Sequence, residues 1–171
     1  MRDWHGSHKK HTNHKIESVS FCEICALCGK KDLMDGHRRH TRHIMEQMDD
    51  AIILELCGKI RQASFDLHVY LKHGHLEKVY ENGLANRLRK LGIKVEQQIP
   101  LRVYDEDGTL LGDYFADLLV ENQIIVELKA CKALANEHTA QVLGYVRAAR
   151  LKHGMLINFG APIIEIKKLV L

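Results

Sequence analysis

The sequence has no apolar run of about 18 residues, the length that a membrane-spanning helix needs. Its first residues, Met1 to Lys15, are basic and rich in histidine, whereas a secretory signal sequence has an apolar centre. Secreted and membrane-spanning proteins are therefore not expected. The five cysteines are an odd number and three of them are clustered, which excludes a disulfide framework for a whole domain. We expect a protein of a reducing, cytoplasmic compartment.

Most of the chain also lacks an excess of charge of either sign. The net charge of +3 arises within residues 1–47, which carry nine Lys/Arg and six Asp/Glu, whereas the remainder carries sixteen of each. The overall charge of that remainder therefore gives no reason to expect a phosphate-bearing partner. A Gly-rich phosphate loop, a Ser-His-Asp order and a Rossmann fingerprint are absent as well. Any function must be predicted from a local site.

Residues 1–47 differ in composition from the rest of the chain. Seven of the twelve histidines recur there at a three-residue spacing, in two similar tracts, HGSHKKHTNH and HRRHTRH, and large apolar residues are few. This composition is typical of a disordered, irregular extension. Met48, followed by two aspartates, is an alternative start of translation. We expect the folded domain to comprise residues 48–171.

A metal site is the alternative for this extension. Cys22, Cys25 and Cys28 have the two-residue gaps of a thiolate ligand set. With His37 or His40 they would form a Cys3His site for Zn²⁺, and with a more distant cysteine they would hold an iron–sulfur cluster. Three free thiols without a metal are the third possibility. A chain that uses such a site would be a regulator that senses metal or redox state.

Residues 48–171 have the patterning of a globular α/β domain. The chain has 171 residues and is 46% hydrophobic, enough for a core of its own. Apolar residues at helical spacing predict helices over about 51–72, 75–91 and 136–151. β-branched and aromatic stretches predict strands over 93–104, 110–120 and 123–130, which form an antiparallel meander, and over 155–159 and 163–171. The predicted fold is a central mixed sheet flanked by helices.

Two carboxylates interrupt strands that are otherwise apolar. If residues 121–123 form a three-residue loop, Val120 pairs with Ile124 and Asp117 lies opposite Glu127. Lys129 lies two residues after Glu127, so the period of a strand places it on the same face. The alternative is a salt bridge at the surface of the sheet, although the apolar neighbours indicate strands that are covered on both faces.

Two buried carboxylates repel each other unless a cation lies between them. Oxygen ligands suit Mg²⁺ or Mn²⁺, and Mg²⁺ is typically held by one or two carboxylates together with water and substrate phosphate. Such an ion lowers the pKa of a bound water and neutralises charge on a phosphate, and an adjacent lysine can orient the water. This chemistry is the hydrolysis of phosphodiester bonds.

Asp117 followed by Glu127-Leu128-Lys129 resembles the signature of the PD-(D/E)XK nuclease superfamily, an acid and then Glu/Asp-x-Lys on a β-hairpin. Upstream, GHLEKVY at residues 74–80 is similar to the GxxExxY motif that names a bacterial family of that superfamily. The resemblance extends from about residue 52 to the end of the sequence. It implies a PD-(D/E)XK nuclease-like core with the order α-β-β-β-α-β.

The resemblance also implies roles for individual residues. Asp117 and Glu127 would be metal ligands together with the backbone carbonyl of Leu128, and Lys129 would be the catalytic base or the group that orients water. Glu77, on the second helix, would reach the same site.

QVLGY at residues 141–145 resembles the Q-x-x-x-Y element of RecB-type members. Gln141 and Tyr145 would lie one turn apart and bind substrate phosphates. Tyr80, the last residue of the GxxExxY motif, is assigned to substrate binding with them. The sequence thus predicts a nuclease for DNA or RNA that depends on Mg²⁺ or Mn²⁺, and the alternative is an inactive module that binds nucleic acid or protein.

Overall fold

The computed structural model describes residues 31–171, with side chains from residue 49 onward. The chain divides near residue 45, and the second unit, Glu46–Leu171, contains the sheet. The predictions for Cys22, Cys25 and Cys28 lie outside the described residues, and so does the side chain of His37. No helix in the described part of the chain is both long enough and apolar enough to span a bilayer.

Helix α1 spans Lys31–Leu71 and so begins well before the predicted start near residue 51. Residues 31–47 are therefore helical, which corrects the prediction that the whole extension is irregular. These residues contain good helix formers but no continuous apolar face. Apolar periodicity predicts a helix only where such a face exists, so it gave no signal here. The later part of α1 packs against the sheet through residues at three- and four-residue spacing: Ile53, Leu56, Ile60, Ala63 and Leu67.

Helix α2 spans Glu77–Lys90 and packs in the same layer as α1. Its buried face follows the helical period through Tyr80, Leu84 and Leu88. The chain leaves the helix at Gly92, whose φ of +76° is a left-handed conformation that glycine adopts at little cost. The predicted end of this helix is confirmed.

Five strands form one sheet in the order β1-β2-β3-β4-β5. Their bounds are Val95–Tyr104, Leu110–Val120, Ile124–Lys129, His153–Asn158 and Glu165–Val170. Helix α3, Asn136–Ala148, connects β3 to β4. These two strands are the one parallel pair in the sheet. The other neighbours are antiparallel, so the predicted meander and mixed sheet are confirmed.

An apolar cluster covers each face of the sheet. Ile124, Val126 and Leu128 face the cluster built with α1 and α2, and Ile125 faces the cluster built with α3. Strand β3 is therefore enclosed on both sides, as its near-continuous apolar sequence predicts. Any charged side chain on this strand must be explained by its partners.

Candidate active site

The register of the β2–β3 hairpin sets which side chains face each other. Val120 pairs with Ile124, as the predicted three-residue loop requires. Continued toward the site, this register brings Asp117 opposite Glu127. At that point the Leu128 N–H donates a hydrogen bond of 2.8 Å to Asp117 Oδ2. The carboxylate of Asp117 is thereby anchored to the backbone of β3 where the ladder ends.

Glu127 and Lys129 form a buried ion pair. Lys129 Nζ donates to Glu127 Oε1 at 2.6 Å, and the two side chains are 14% and 4% exposed, respectively. The second oxygen, Glu127 Oε2, is buried and has no hydrogen-bond partner among the residues that the structure describes. A buried carboxylate oxygen is costly to leave without a partner. This oxygen is therefore free to accept from a donor or to bind a cation.

Burial and neighbouring charge shift the pKa of all three groups. Burial raises the pKa of Glu127 to about 7, the charge of Asp117 adds to the shift, and Lys129 opposes it. Burial also raises the pKa of Asp117, while the hydrogen bond from Leu128 opposes that shift. For Lys129, burial acts to lower the pKa, but the hydrogen bond and charge of Glu127 outweigh it and the pKa is raised. A further cation would relieve the carboxylate repulsion.

Glu77 lies near these groups, as the motif resemblance implies. It is the first residue of α2 and is half-buried. Burial raises its pKa, the charge of Lys129 lowers it, and the charge of Asp117 raises it again. The start of α2 thus brings a third carboxylate into the electrostatic field of the β2–β3 hairpin.

A fourth carboxylate was not predicted. Glu81 is 2% exposed, and Lys78 Nζ donates to its two oxygens at 2.6 and 2.8 Å. Gln98 Nε2 donates to Glu81 Oε2 at 2.8 Å and to Asp117 Oδ1 at 3.3 Å, so one amide couples both carboxylates. The sequence did contain a signal, because Glu81 lies four residues after Glu77 and hence on the same helix face.

Gln141 and Tyr145 contact each other on α3. Gln141 Nε2 lies 2.6 Å from the Tyr145 hydroxyl oxygen. Tyr145 is 7% exposed, and burial raises its pKa, with the charges of Glu127 and Asp117 acting in the same direction. Tyr145 therefore lies within the electrostatic field of both carboxylates. Its ring lies 5.5 Å from that of Tyr114, measured between centroids.

Tyr80 does not line this site, which corrects the substrate-binding role predicted for it. It is fully buried, and its ring stacks on Phe159 with the centroids 4.6 Å apart. Its hydroxyl donates to the Lys72 carbonyl at 2.8 Å and accepts from the His75 N–H at 3.2 Å. Tyr80 thus holds the loop before α2 against the core, which fixes where Glu77 begins the helix.

The chain that follows Lys129 is fixed by a buried amide. Asn158 Oδ1 accepts hydrogen bonds from the Cys131 N–H at 3.1 Å and the Gly160 N–H at 3.0 Å. A Cβ on Gly160 would lie 2.3 Å from backbone atoms of Ala130 and Cys131, so this close approach requires glycine. These contacts hold the end of β3 in place.

The donor set fits a hard divalent cation that keeps part of its water shell. Within residues that the structure describes, no three His, Cys, Asp or Glu side chains converge into a complete metal cage. Mg²⁺, however, is commonly held by one or two carboxylates, with water and substrate phosphate as its other ligands. Asp117 and Glu127 supply that number, and Glu127 Oε2 has no other partner in the described part of the chain. Both residues therefore remain candidates for holding Mg²⁺ or Mn²⁺.

Comparison with known proteins gives a family match that includes the site. The model of a family described as the PD-(D/E)XK nuclease superfamily matches residues 54–169, which include both β2 and β3. No curated protein matches the chain. The crystal structure of SSO0001 is similar with a TM-score of 0.48 and 17% identity, over 55% of this chain and 50% of that one. The chain thus spans about half the length of that structure. Membership of the narrower GxxExxY family stays a prediction.

Proposed function

The chain belongs to the PD-(D/E)XK nuclease superfamily, and we propose that it is a metal-dependent nuclease that hydrolyses phosphodiester bonds of DNA or RNA. The observation that carries the proposal is Glu127 Oε2, a buried oxygen without a partner in a carboxylate whose pKa burial raises to about 7. A purely structural ion pair would leave no such oxygen, because an unpartnered buried acceptor lowers stability.

Asp117 and Glu127 are the proposed protein ligands of Mg²⁺ or Mn²⁺, with the backbone carbonyl of Leu128, and Glu77 contributes from α2. When bound, the ion lowers the pKa of a ligated water and neutralises charge on the phosphate. The hydrogen bond from the Leu128 N–H orients Asp117, and the buried strand orients Glu127. These carboxylates are therefore held in position before any ligand arrives.

Lys129 is proposed to orient water or to stabilise negative charge on the phosphate. Its ammonium group already donates to Glu127 Oε1 at 2.6 Å, which fixes its position beside the carboxylates. A positioned cation in a largely buried site stabilises developing negative charge more strongly than it would in water. Gln141 and Tyr145 are proposed to bind substrate from the α3 side, and their mutual hydrogen bond restricts their rotamers.

The test is cleavage of labelled single- and double-stranded DNA and RNA with Mg²⁺, Mn²⁺ or EDTA. Glu127→Gln and Lys129→Met are each expected to lower the rate by about 10²–10³-fold, the usual loss when a preorganised charged or polar group is removed. The chain offers a matched control in the exposed pair of Glu55 and Lys59, whose charged atoms are 2.7 Å apart. Glu55→Gln and Lys59→Met are expected to cut at the wild-type rate.

Metal-dependent cleavage that both site variants lose and both control variants keep would support the nuclease and its site together. If the wild-type chain cuts no substrate with any of these ions, it is a binding module of this fold and the proposal is wrong. Equal cutting by Glu127→Gln and the wild type would place the activity elsewhere, including in a contaminating enzyme.

A further inference from the structure

A groove of about 910 Å³ lies between the β1–β2 hairpin and the end of α3. Its volume is at the upper end of the roughly 300–1,000 Å³ typical of small-ligand sites. The side chains that give it chemical character are Arg102, Tyr104, Tyr114, Arg147 and Arg150. None of the site residues proposed above lines it.

The charged lining of the groove is entirely positive. Its lining lies wholly within the described residues and contains three arginines but no Asp or Glu. All three arginines are exposed. Arg102 Nε lies 3.9 Å from Asp113 Oδ1 in an exposed pair, and such pairs contribute little. The guanidinium groups are therefore available to an anionic ligand, although the domain as a whole is neutral.

Two tyrosines present aromatic surface to the same groove. Tyr104 is 54% exposed and Tyr114 is 48% exposed. The ring of Tyr114 also lies 5.5 Å from that of Tyr145, which together with Gln141 is proposed to bind substrate. Arg147, which lines the groove, lies on the same helix as Gln141 and Tyr145, so one extended ligand could contact both the groove and this pair.

We propose that this groove binds a single-stranded nucleic acid segment that flanks the phosphate in the active site. The tyrosine rings stack on unpaired bases, and the arginines bind the backbone phosphates. A duplex presents its phosphates but keeps its bases stacked on each other, so it would leave the exposed rings unused. This inference rests on the proposed nuclease function and adds to it a binding subsite and a preference for single strands.

The test is binding of fluorescent single-stranded oligonucleotides to the full chain, measured by anisotropy in EDTA so that metal-dependent cleavage cannot interfere. One arm uses DNA and the other uses RNA of the same sequence. Tyr104→Ala should weaken binding about tenfold, whereas Tyr104→Phe keeps the stacking ring and should bind like the wild type. Arg147→Ala should lower the slope of log affinity against log salt by about 0.7, the change expected for one lost phosphate contact.

The control is Arg61→Ala, which removes the same charge from an exposed position on α1, in the layer that covers the other face of the sheet. It is expected to leave the affinity and the salt slope unchanged. If Arg61→Ala and Arg147→Ala lose affinity equally, binding is due to diffuse charge attraction and the proposed groove is wrong. Equal competition by a duplex of the same length or by polyglutamate of the same charge would also show that the groove is wrong.

Cleavage measured on the same variants separates this inference from the proposed function. If Tyr104→Ala and Arg147→Ala bind like the wild type while Lys129→Met loses cleavage, the groove is wrong and the nuclease stands. If the groove variants lose binding but no ion supports cleavage by the wild type, the subsite stands as a binding surface and the nuclease is wrong.

Discussion

Two glutamate–lysine pairs in this chain have nearly the same contact distance, but the pKa of the glutamate shifts in opposite directions. Glu55 and Lys59 on α1 lie 2.7 Å apart with side chains 68% and 50% exposed. Glu127 and Lys129 on β3 lie 2.6 Å apart but are only 4% and 14% exposed. The hydrogen bond from Lys59 lowers the pKa of Glu55, whereas burial raises that of Glu127 to about 7.

The difference between the pairs comes from burial and from the surrounding acids. Water solvates Glu55, so its lysine decides the direction of the shift. Glu127 has lost that solvation and lies beside Asp117, and one lysine does not compensate for both. Contact distance alone therefore does not distinguish a structural pair from a functional one. The raised pKa of Glu127 means that its ionisation disfavours the folded state, and the proposed cation site would account for the presence of the buried pair.

The largest expected effect on stability comes from replacing the lysine of the buried pair, and the same change at the exposed pair is the control. Lys129→Met leaves Glu127 and Asp117 buried without a positive neighbour, and we expect a loss of about 3 kcal/mol or more in the free energy of unfolding at pH 8. Lys59→Met changes an exposed pair and is expected to have little effect. Urea unfolding followed by circular dichroism in EDTA measures both. Equal losses would mean that burial does not separate the two pairs.

Removing the charge of Glu127 should raise the free energy of unfolding, whereas replacing Lys129 should lower it. The pKa of Glu127 is about 7 in the folded chain against 4.5 as the ordinary value. Between these values the folded state holds a proton that the unfolded state has lost. The contribution of Glu127 to the free energy of unfolding is therefore fully present below pH 4.5 and falls as the pH rises toward 7. Glu127→Gln should abolish this fall and be more stable than the wild type at pH 8 by up to roughly 3 kcal/mol.

The exposed pair again supplies the control for this pH profile. The pKa of Glu55 is lowered, so its contribution is present above its ordinary pKa and is lost as the pH falls. Glu55→Gln is therefore not expected to stabilise the chain at pH 8. Denaturant midpoints between pH 4 and 8 in EDTA measure both profiles, and a wild-type profile that Glu127→Gln leaves unchanged would contradict the assignment.

A smaller effect is expected from the amide that joins Glu81 and Asp117. Gln98 has a φ of +53°, a left-handed conformation that costs a non-glycine residue of order 1 kcal/mol. Gln98→Ala and Gln98→Gly both remove the donor to Asp117, and we expect each to lower kcat about tenfold. The glycine variant should be the more stable of the two, because glycine adopts this conformation freely. Unchanged kcat in both variants would show that Gln98 does not position Asp117.

The smallest expected effect concerns the buried motif tyrosine. Tyr80→Phe removes a hydroxyl that donates to the Lys72 carbonyl, which should cost about 1 kcal/mol of stability. The KM for an oligonucleotide should stay at the wild-type value, because Tyr80 is fully buried. A thermal melt and initial rates measure the two quantities. A large rise in KM with an unchanged melt would restore the substrate-binding role.

The register that brings Asp117 opposite Glu127 was predictable because it follows from local rules. The length of the 121–123 loop sets the register, and the period of two then places Lys129 beside Glu127. Both rules act over a few residues and require no knowledge of the tertiary fold. The same holds for the end of α2 at Gly92, where a single residue type carries the signal.

The remaining features depend on contacts between distant segments. The left-handed conformation of Gln98 and its bonds to Glu81 and Asp117 join three separate elements, and no local pattern encodes them. The resemblance of residues 74–80 to a motif identified Tyr80 but not its burial against Phe159, so its role was wrong. The early start of α1 was missed because residues 31–47 carry no apolar periodicity.

The measurement that tests the account most directly is calorimetric titration of the metal-free chain with Mn²⁺ at pH 6 and pH 8. We expect binding by the wild type and by Glu55→Gln, and none by Glu127→Gln. At pH 6 the heat should depend on the ionisation enthalpy of the buffer, because Glu127 must release a proton to act as a ligand, and at pH 8 this dependence should largely disappear. Equal Mn²⁺ binding by Glu127→Gln and the wild type, or no binding by the wild type, would contradict the account.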